Sequence, residues 1–328
     1  MTRLAPETQE LDERTGQPHR QIRSPLILDG GMGHLLRRKG VQIAGPLGSL
    51  ERFLGVALAN RDAPEMVVDA HMEYLRAGAD VITTNTYACI PAAIGDDELV
   101  RDLIQRGGYL AQRARTLSLE EDPRREHAPV VAGCLPPLHE SYRPDRVGSE
   151  AEMTRVYGDI VENTAEYCDV LLCETMSSVA EARAAAGAAD AAGIPVWVSW
   201  TVEEDASGRL RSGESMREAI DALAHLSNVE AYSVNCSAPD AIDAGLAALH
   251  DVCGDGVALG AYANGFSSAF LDSRFGAEYD DTLTPDLYAT RAAAWCEIGA
   301  GIIGGCCGVF PEHIAAVSEK SASKRARS

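Results

Sequence analysis

The chain of 328 residues is poor in aromatic side chains, at 5 %, and in positive charge, with 29 basic residues against 49 acidic ones. A formal charge of -20 repels nucleic acid and anionic membranes over most of the surface. This deficit favours small zwitterionic or cationic ligands. No apolar run reaches the ~18 residues of a membrane span, and residues 1–24 are polar without a hydrophobic signal segment. A soluble, cytoplasmic protein is expected. Histidine pairs at metal-site spacing are also missing, so His34, His71, His139 and His313 read as ordinary surface or supporting residues. The nine cysteines are odd in number and lack the regular spacing of a secreted disulfide framework.

What the chain does have is alternation. Short apolar runs at Leu26–Leu28, Val81–Thr83, Val130–Ala132, Val170–Cys173, Val196–Trp200, Ala231–Val234, Val257–Ala261 and Ile302–Ile303 read as buried strands. Helical periodicity follows them, as at Pro64–Arg76, Val179–Ala192, Ala238–Leu249 and Pro285–Ile298. Strict strand–helix alternation predicts a parallel sheet, and eight strands close a (β/α)8 TIM barrel, an α/β fold with a single domain over residues 25–320. A doubly wound open sheet is the alternative, but Gly30-Gly31-Met32-Gly33 does not fit its G-x-G-x-x-G phosphate loop. Residues 1–24 read as a flexible arm, which leaves a homo-oligomer open. Residues 321–328 read as a disordered basic tail too short for a nucleic-acid role.

Barrel active sites lie at the C-terminal ends of the strands. There the sequence places Asp29-Gly30-Gly31, Thr84-Asn85-Thr86, Glu174-Thr175, Asn235-Cys236, Tyr262-Ala263-Asn264 and Gly304-Gly305-Cys306-Cys307-Gly308. The adjacent cysteines have three readings: a vicinal disulfide, metal ligands, or small residues of a buried turn. A third cysteine, Cys236, at a nearby strand end favours the metal. Three thiolates on a tetrahedral zinc leave a fourth position for a substrate thiol, whose ionisation the metal promotes. Asp29 and Glu174 suit the ammonium group of an amino acid; a glycosidase acid–base pair and a simple helix cap at Asp29 are the competing readings. The N–H groups of Gly30 and Gly31 are candidates to hold a carboxylate. Glu203-Glu204-Asp205 reads as a solvated loop.

These motifs, together with Tyr74-Leu75-Arg76-Ala77-Gly78-Ala79-Asp80, Thr84-Asn85-Thr86-Tyr87 and Gly208-Arg209-Leu210-Arg211-Ser212-Gly213-Glu214, resemble the homocysteine S-methyltransferase family nearly from end to end. The resemblance implies zinc on Cys236, Cys306 and Cys307, and the amino acid on Asp29 and Glu174. Asn264 is implied to approach the metal in the empty site, and Asn235 to orient its loop. Thr84 and Asn85 join the substrate contacts. The implied reaction transfers a methyl group from a cationic donor to homocysteine. A sulfonium such as S-methylmethionine or S-adenosylmethionine is favoured over betaine or dimethylsulfoniopropionate. The family's Tyr-Pro-Asn is Tyr262-Ala263-Asn264 here, and the donor-facing region that the resemblance implies carries Gly133–His139 and Tyr142-Arg143-Pro144, onto which betaine-specific aromatic residues cannot be mapped. A non-catalytic redox sensor using Cys306 and Cys307 is the alternative from another class.

Overall fold

The computed structural model describes residues 25–45, 49–266 and 283–325. The expected arm at 1–24 lies outside them. Eight parallel strands follow in order: β1 (Leu26–Ile27), β2 (Val81–Thr83), β3 (Val130–Leu135), β4 (Val170–Met176), β5 (Val196–Trp200), β6 (Val229–Asn235), β7 (Ala258–Tyr262) and β8 (Ala300–Ile303). Each pairs with its neighbour in sequence from β2 to β8, and β8 pairs with β1. A parallel bridge between Leu28 and Val81 joins the remaining edges. The sheet is a closed (β/α)8 TIM barrel.

The period-2 alternation of strands explains its two cores. Leu28, Val81, Ala132, Val170, Leu172, Trp197, Ala231 and Ile302 form one buried cluster, the barrel lumen. Ile27, Ile82, Val131, Leu171, Cys173, Val198, Val234 and Ile303, the residues of opposite parity, face the helices in a second. Among those helices are α1 (Met32–Arg38), α2 (Leu50–Asp62), α3 (Pro64–Arg76), α4 (Pro91–Ile94), α5 (Asp97–Glu121), α6 (Glu150–Thr164) and α7 (Val179–Ala191). They continue with α8 (Met216–Asp221), α9 (Pro239–Cys253), α10 (Pro285–Ile298) and α11 (Pro311–Arg325). Starts are set locally: Ser178 Oγ accepts from Glu181 N at α7, and Thr284 caps α10 before Pro285.

Three expectations need correction. The tail expected from Ser321 is helical through Arg325, because α11 continues with Ser323 Oγ donating to the Glu319 carbonyl. Strand β4 runs to Met176 rather than Cys173, with a register shift against β5 between Cys173 and Met176. Glu204 is no solvated loop residue. It pairs with Arg211 at 2.5 Å and accepts from Ala238 N at 3.2 Å, fastening the entry to α9.

Candidate active site at the C-terminal rim

Lumen parity carries Glu174 inward above Val170 and Leu172, and the β4 irregularity with Thr175 at φ 62° re-aims it. Asp29 follows β1. Its carboxylate accepts from Thr83 N at 2.8 Å and Thr83 Oγ1 at 3.2 Å. Both acids line a cavity of about 150 Å³, as do Cys236, Cys306 and Cys307. Burial pushes the Asp29 carboxyl up to about 8, against the pull of the Thr83 bonds and reinforced by Glu174. Burial likewise pushes Glu174 up to about 7, with Cys236 adding to it and the Cys134 thiol, 3.5 Å away, opposing it. Two buried acids held near neutrality are poised to ionise when a cation enters.

The three cysteines converge from β6 and β8. Their sulfurs all lie within 4.8 Å of one another, with Cys236 3.0 Å from Cys306 and 3.9 Å from Cys307. Cys236 is in the left-handed region at φ 52°, directly after β6. The pair on β8 is turned by glycines: Gly308 has φ 75°, and a methyl group on Gly305 would overlap the Val309 side chain. Hydrogen bonds from Cys236 and Cys306 hold the Cys307 thiol well below its ordinary range, while those two are pushed up. Soft thiolates in this grouping suit zinc. Thiolates on one tetrahedral zinc stand ~3.8 Å apart; Cys236 and Cys307 match that spacing, and Cys236 and Cys306 fall short of it by less than an ångström.

The other expected residues divide. Thr84 lines the cavity, its hydroxyl held by Thr86 and by Cys134 N. Asn85 also lines it, but its amide donates to Asn60 Oδ1 and the Val56 carbonyl, so the side chain serves the wall. Asn235 is wholly buried between Thr175 and Ser199. Asn264 is buried between the two cysteine loops. Its N–H donates to the Ser237 carbonyl, while its flanking residues bond the backbones of Cys306 and Cys307. Neither polar atom of its side chain has a partner among the described residues. Gly30 and Gly31 line the cavity, but Gly31 N is taken by the Val309 carbonyl and is not open to a carboxylate. Both glycines are there for close approach: a Cβ on Gly31 would come within 2.8 Å of the Cys306 carbonyl, and one on Gly30 would strike that of Val309.

Several cavity residues were given no role by the sequence reading. His34 is no surface residue. Because α1 starts directly after the β1 loop, His34 is buried against the cavity, and burial lowers it to about 3. Arg52 and Phe53 reach the cavity from α2, Tyr87 from the β2 loop and Tyr142 from the β3 loop. The Tyr142 hydroxyl is 2.8 Å from Cys236 Sγ. Of the aromatic lining, Tyr262 stands at a strand end, while Phe53 and Tyr142 stand on a helix and a long loop that periodicity does not reveal.

The homocysteine S-methyltransferase family model matches residues 26–321. The chain belongs to the homocysteine S-methyltransferase family. It is a methyltransferase whose family acts on homocysteine, a small molecule, and the non-catalytic alternative is set aside. The Escherichia coli (strain K12) homocysteine S-methyltransferase is 29 % identical over 308 residues, covering 90 % of this chain and 95 % of its own. Homocysteine S-methyltransferase 4 of Zea mays is 26 % identical over 313 residues, covering 89 % and 88 %. The crystal structure of the Escherichia coli homocysteine methyltransferase MmuM in its metallated form superposes with a TM-score of 0.76 at 29 % identity, covering 90 % of this chain and 96 % of that one. Its apo form gives 0.71 at 27 % identity, covering 90 % and 96 %. No helix among the described residues is long and apolar enough to cross a membrane.

Proposed function

We propose that this homocysteine methyltransferase is zinc-dependent and takes its methyl group from a sulfonium donor such as S-methylmethionine or S-adenosylmethionine. The observation that carries the reading is the convergence of Cys236, Cys306 and Cys307 on one wall of the cavity that Asp29 and Glu174 line. A zinc held by the three sulfurs would keep the substrate thiol ionised near neutral pH. That MmuM has a metallated form supports a metal in this family, and the buried, unpartnered amide of Asn264 between the cysteine loops supports a ligand at this wall.

Asp29 and Glu174 hold the homocysteine ammonium, giving up their protons as it enters. Thr83 fixes the Asp29 carboxylate, and Thr84 shapes the floor beside it. Asn235 and Asn85 contribute by holding the walls. With Gly31 N engaged, Gly30 N and the Arg52 guanidinium at the cavity are the groups suited to the substrate carboxylate. Phe53, Tyr87 and Tyr142 enclose the space above the sulfurs, and aromatic faces attract an onium cation. The thiolate attacks the donor methyl in line, and the sulfonium leaves as a neutral thioether that needs no proton. Exclusion of water by these rings keeps thiolate and methyl at attack distance.

The test is methionine formation from homocysteine with S-methylmethionine, S-adenosylmethionine, betaine and dimethylsulfoniopropionate offered in parallel, on protein of known zinc content. A preference for either of the first two supports the reading. Betaine as the best donor overturns the sulfonium assignment, and full activity in zinc-free protein overturns the metal.

A further inference from the structure

The Gly208–Glu214 motif supplies no cavity residue, yet it packs on the rim. Val202 and Leu210 form an antiparallel bridge, and Glu203 N donates to the Arg209 carbonyl, folding the segment after β5 back on itself. Arg211 projects from this fold. Its Nε donates to Thr201 Oγ1 at 3.0 Å and an Nη to Glu204 at 2.5 Å, which fixes the guanidinium plane. Its Cζ lies over the ring of Tyr142, 4.9 Å from the centre, and the Tyr142 hydroxyl is 2.8 Å from Cys236 Sγ.

Tyr142 sits at φ 64°, a left-handed backbone that costs a non-glycine residue free energy and persists only where its surroundings hold it. Among the contacts around it are the guanidinium over its ring and the sulfur at its tip. A phenol donating to a metal-bound thiolate draws off part of its charge and fixes its direction, and such outer partners commonly change metal affinity by ~10- to 100-fold. Lysine at position 211 would keep the charge but lose both the fork and the planar stack.

We infer that Arg211 is a positioning residue for the sulfur site, holding the Tyr142 hydroxyl on Cys236. The inference rests on the zinc reading above, and its test separates the two. Wild type, Arg211→Lys, Tyr142→Phe and the double variant are loaded with zinc, and its release to a chromophoric chelator is followed, with thermal melting as the control for folding. Arg211→Lys is expected to release zinc ~10- to 100-fold faster while melting within a few degrees of wild type. Since Tyr142→Phe keeps the ring and removes only the hydroxyl, adding Arg211→Lys to it should change release by no more than about twofold. Wild-type release in Arg211→Lys, or the full acceleration persisting on Tyr142→Phe, overturns the inference. A wild type that binds no zinc overturns the zinc reading and this inference with it. If Arg211→Lys does not fold, Arg211→Gln removes the guanidinium from the Tyr142 ring instead, and unchanged release there is equally decisive against the proposal.

Discussion

Asn235 and Thr175 are joined by two hydrogen bonds that span β5 from β6 to β4: Thr175 N donates to Asn235 Oδ1 at 3.1 Å, and Asn235 Nδ2 donates to Thr175 Oγ1 at 2.9 Å. Each partner neighbours a functional position, Thr175 following Glu174 and Asn235 preceding Cys236. Thr175 and Cys236 are both left-handed, at φ 62° and 52°. The pair therefore couples the carboxylate wall to the sulfur wall and stabilises two unfavourable backbone conformations.

Asn235→Ala leaves Thr175 N and the Ser199 hydroxyl without their acceptor in a buried site. The expected cost is about 1–3 kcal/mol for the buried unpaired groups, read from urea unfolding. Because Glu174 and Cys236 would both shift, kcat/KM for homocysteine should fall by about 10- to 100-fold. A loss of stability with unchanged kcat/KM would show that the pair serves the fold alone.

The raised carboxyls predict proton release on binding. Near pH 6 the empty site holds protons on Asp29 and Glu174, at about 8 and about 7; the entering ammonium requires carboxylates, so those protons leave. Calorimetry in buffers of different ionisation enthalpy should register their release at pH 6, with the carboxyl share vanishing by pH 9, where both are already ionised. Asp29→Asn should remove about one proton from the count and raise the homocysteine KM by about 10- to 100-fold, the loss of a charged hydrogen bond.

The same carboxyls set a stability slope with a definite sign. Unfolded, they titrate near 4; folded, they bind protons more tightly, so the ligand-free protein loses stability as pH rises from about 4 to about 8. Asp29→Asn should flatten that decline. Urea unfolding across this range checks it, and a slope equal to wild type would mean that Asp29 ionises normally in the folded chain.

Gly305→Ala places a methyl group into the Val309 side chain. Overpacking of this kind costs about 1–3 kcal/mol, and the backbone that must yield carries Cys306. Weakened metal retention should therefore accompany the lowered melting temperature. Gly187→Ala on α7, where an added Cβ meets nothing within 4 Å, is the neutral control.

Much of this was legible in the residues. Apolar runs of the right length, alternating with helical periodicity, specify the barrel, and the strand ends then bring Cys236, distant in sequence, to Cys306 and Cys307. The position of Glu174 was legible but not its mechanism, because the register shift that aims it is a relation between β4 and β5 that neither strand reveals alone. Gly30 and Gly31 read as amides for a carboxylate, but the close approach of the cysteine loop's backbone to both, which engages Gly31 N, was not legible from the residues. His34 and Arg52 were hidden because they reach the site from helix turns, and the segment of Tyr142 was marked without a role because the direction of a long loop depends on packing.

Zinc dependence yields the final prediction, which turns on which cysteines matter. The wild type should carry about one zinc per chain, and Cys236→Ala or Cys306→Ser should abolish both retention and methyl transfer, since two thiolates hold the ion far less tightly than three. Metal bound only by the folded state stabilises it, by about 4 kcal/mol when free zinc is a thousand times the dissociation constant. A chelator should accordingly lower the melting temperature of the wild type and leave Cys236→Ala unmoved. Cys253→Ser is the matched control: Cys253 closes α9, at the end of that helix away from the β6 loop, and takes no part in the three-sulfur group. Zinc content by elemental analysis and melting with and without chelator decide the matter. A Cys236→Ala protein that retained its zinc would move the metal away from this wall altogether.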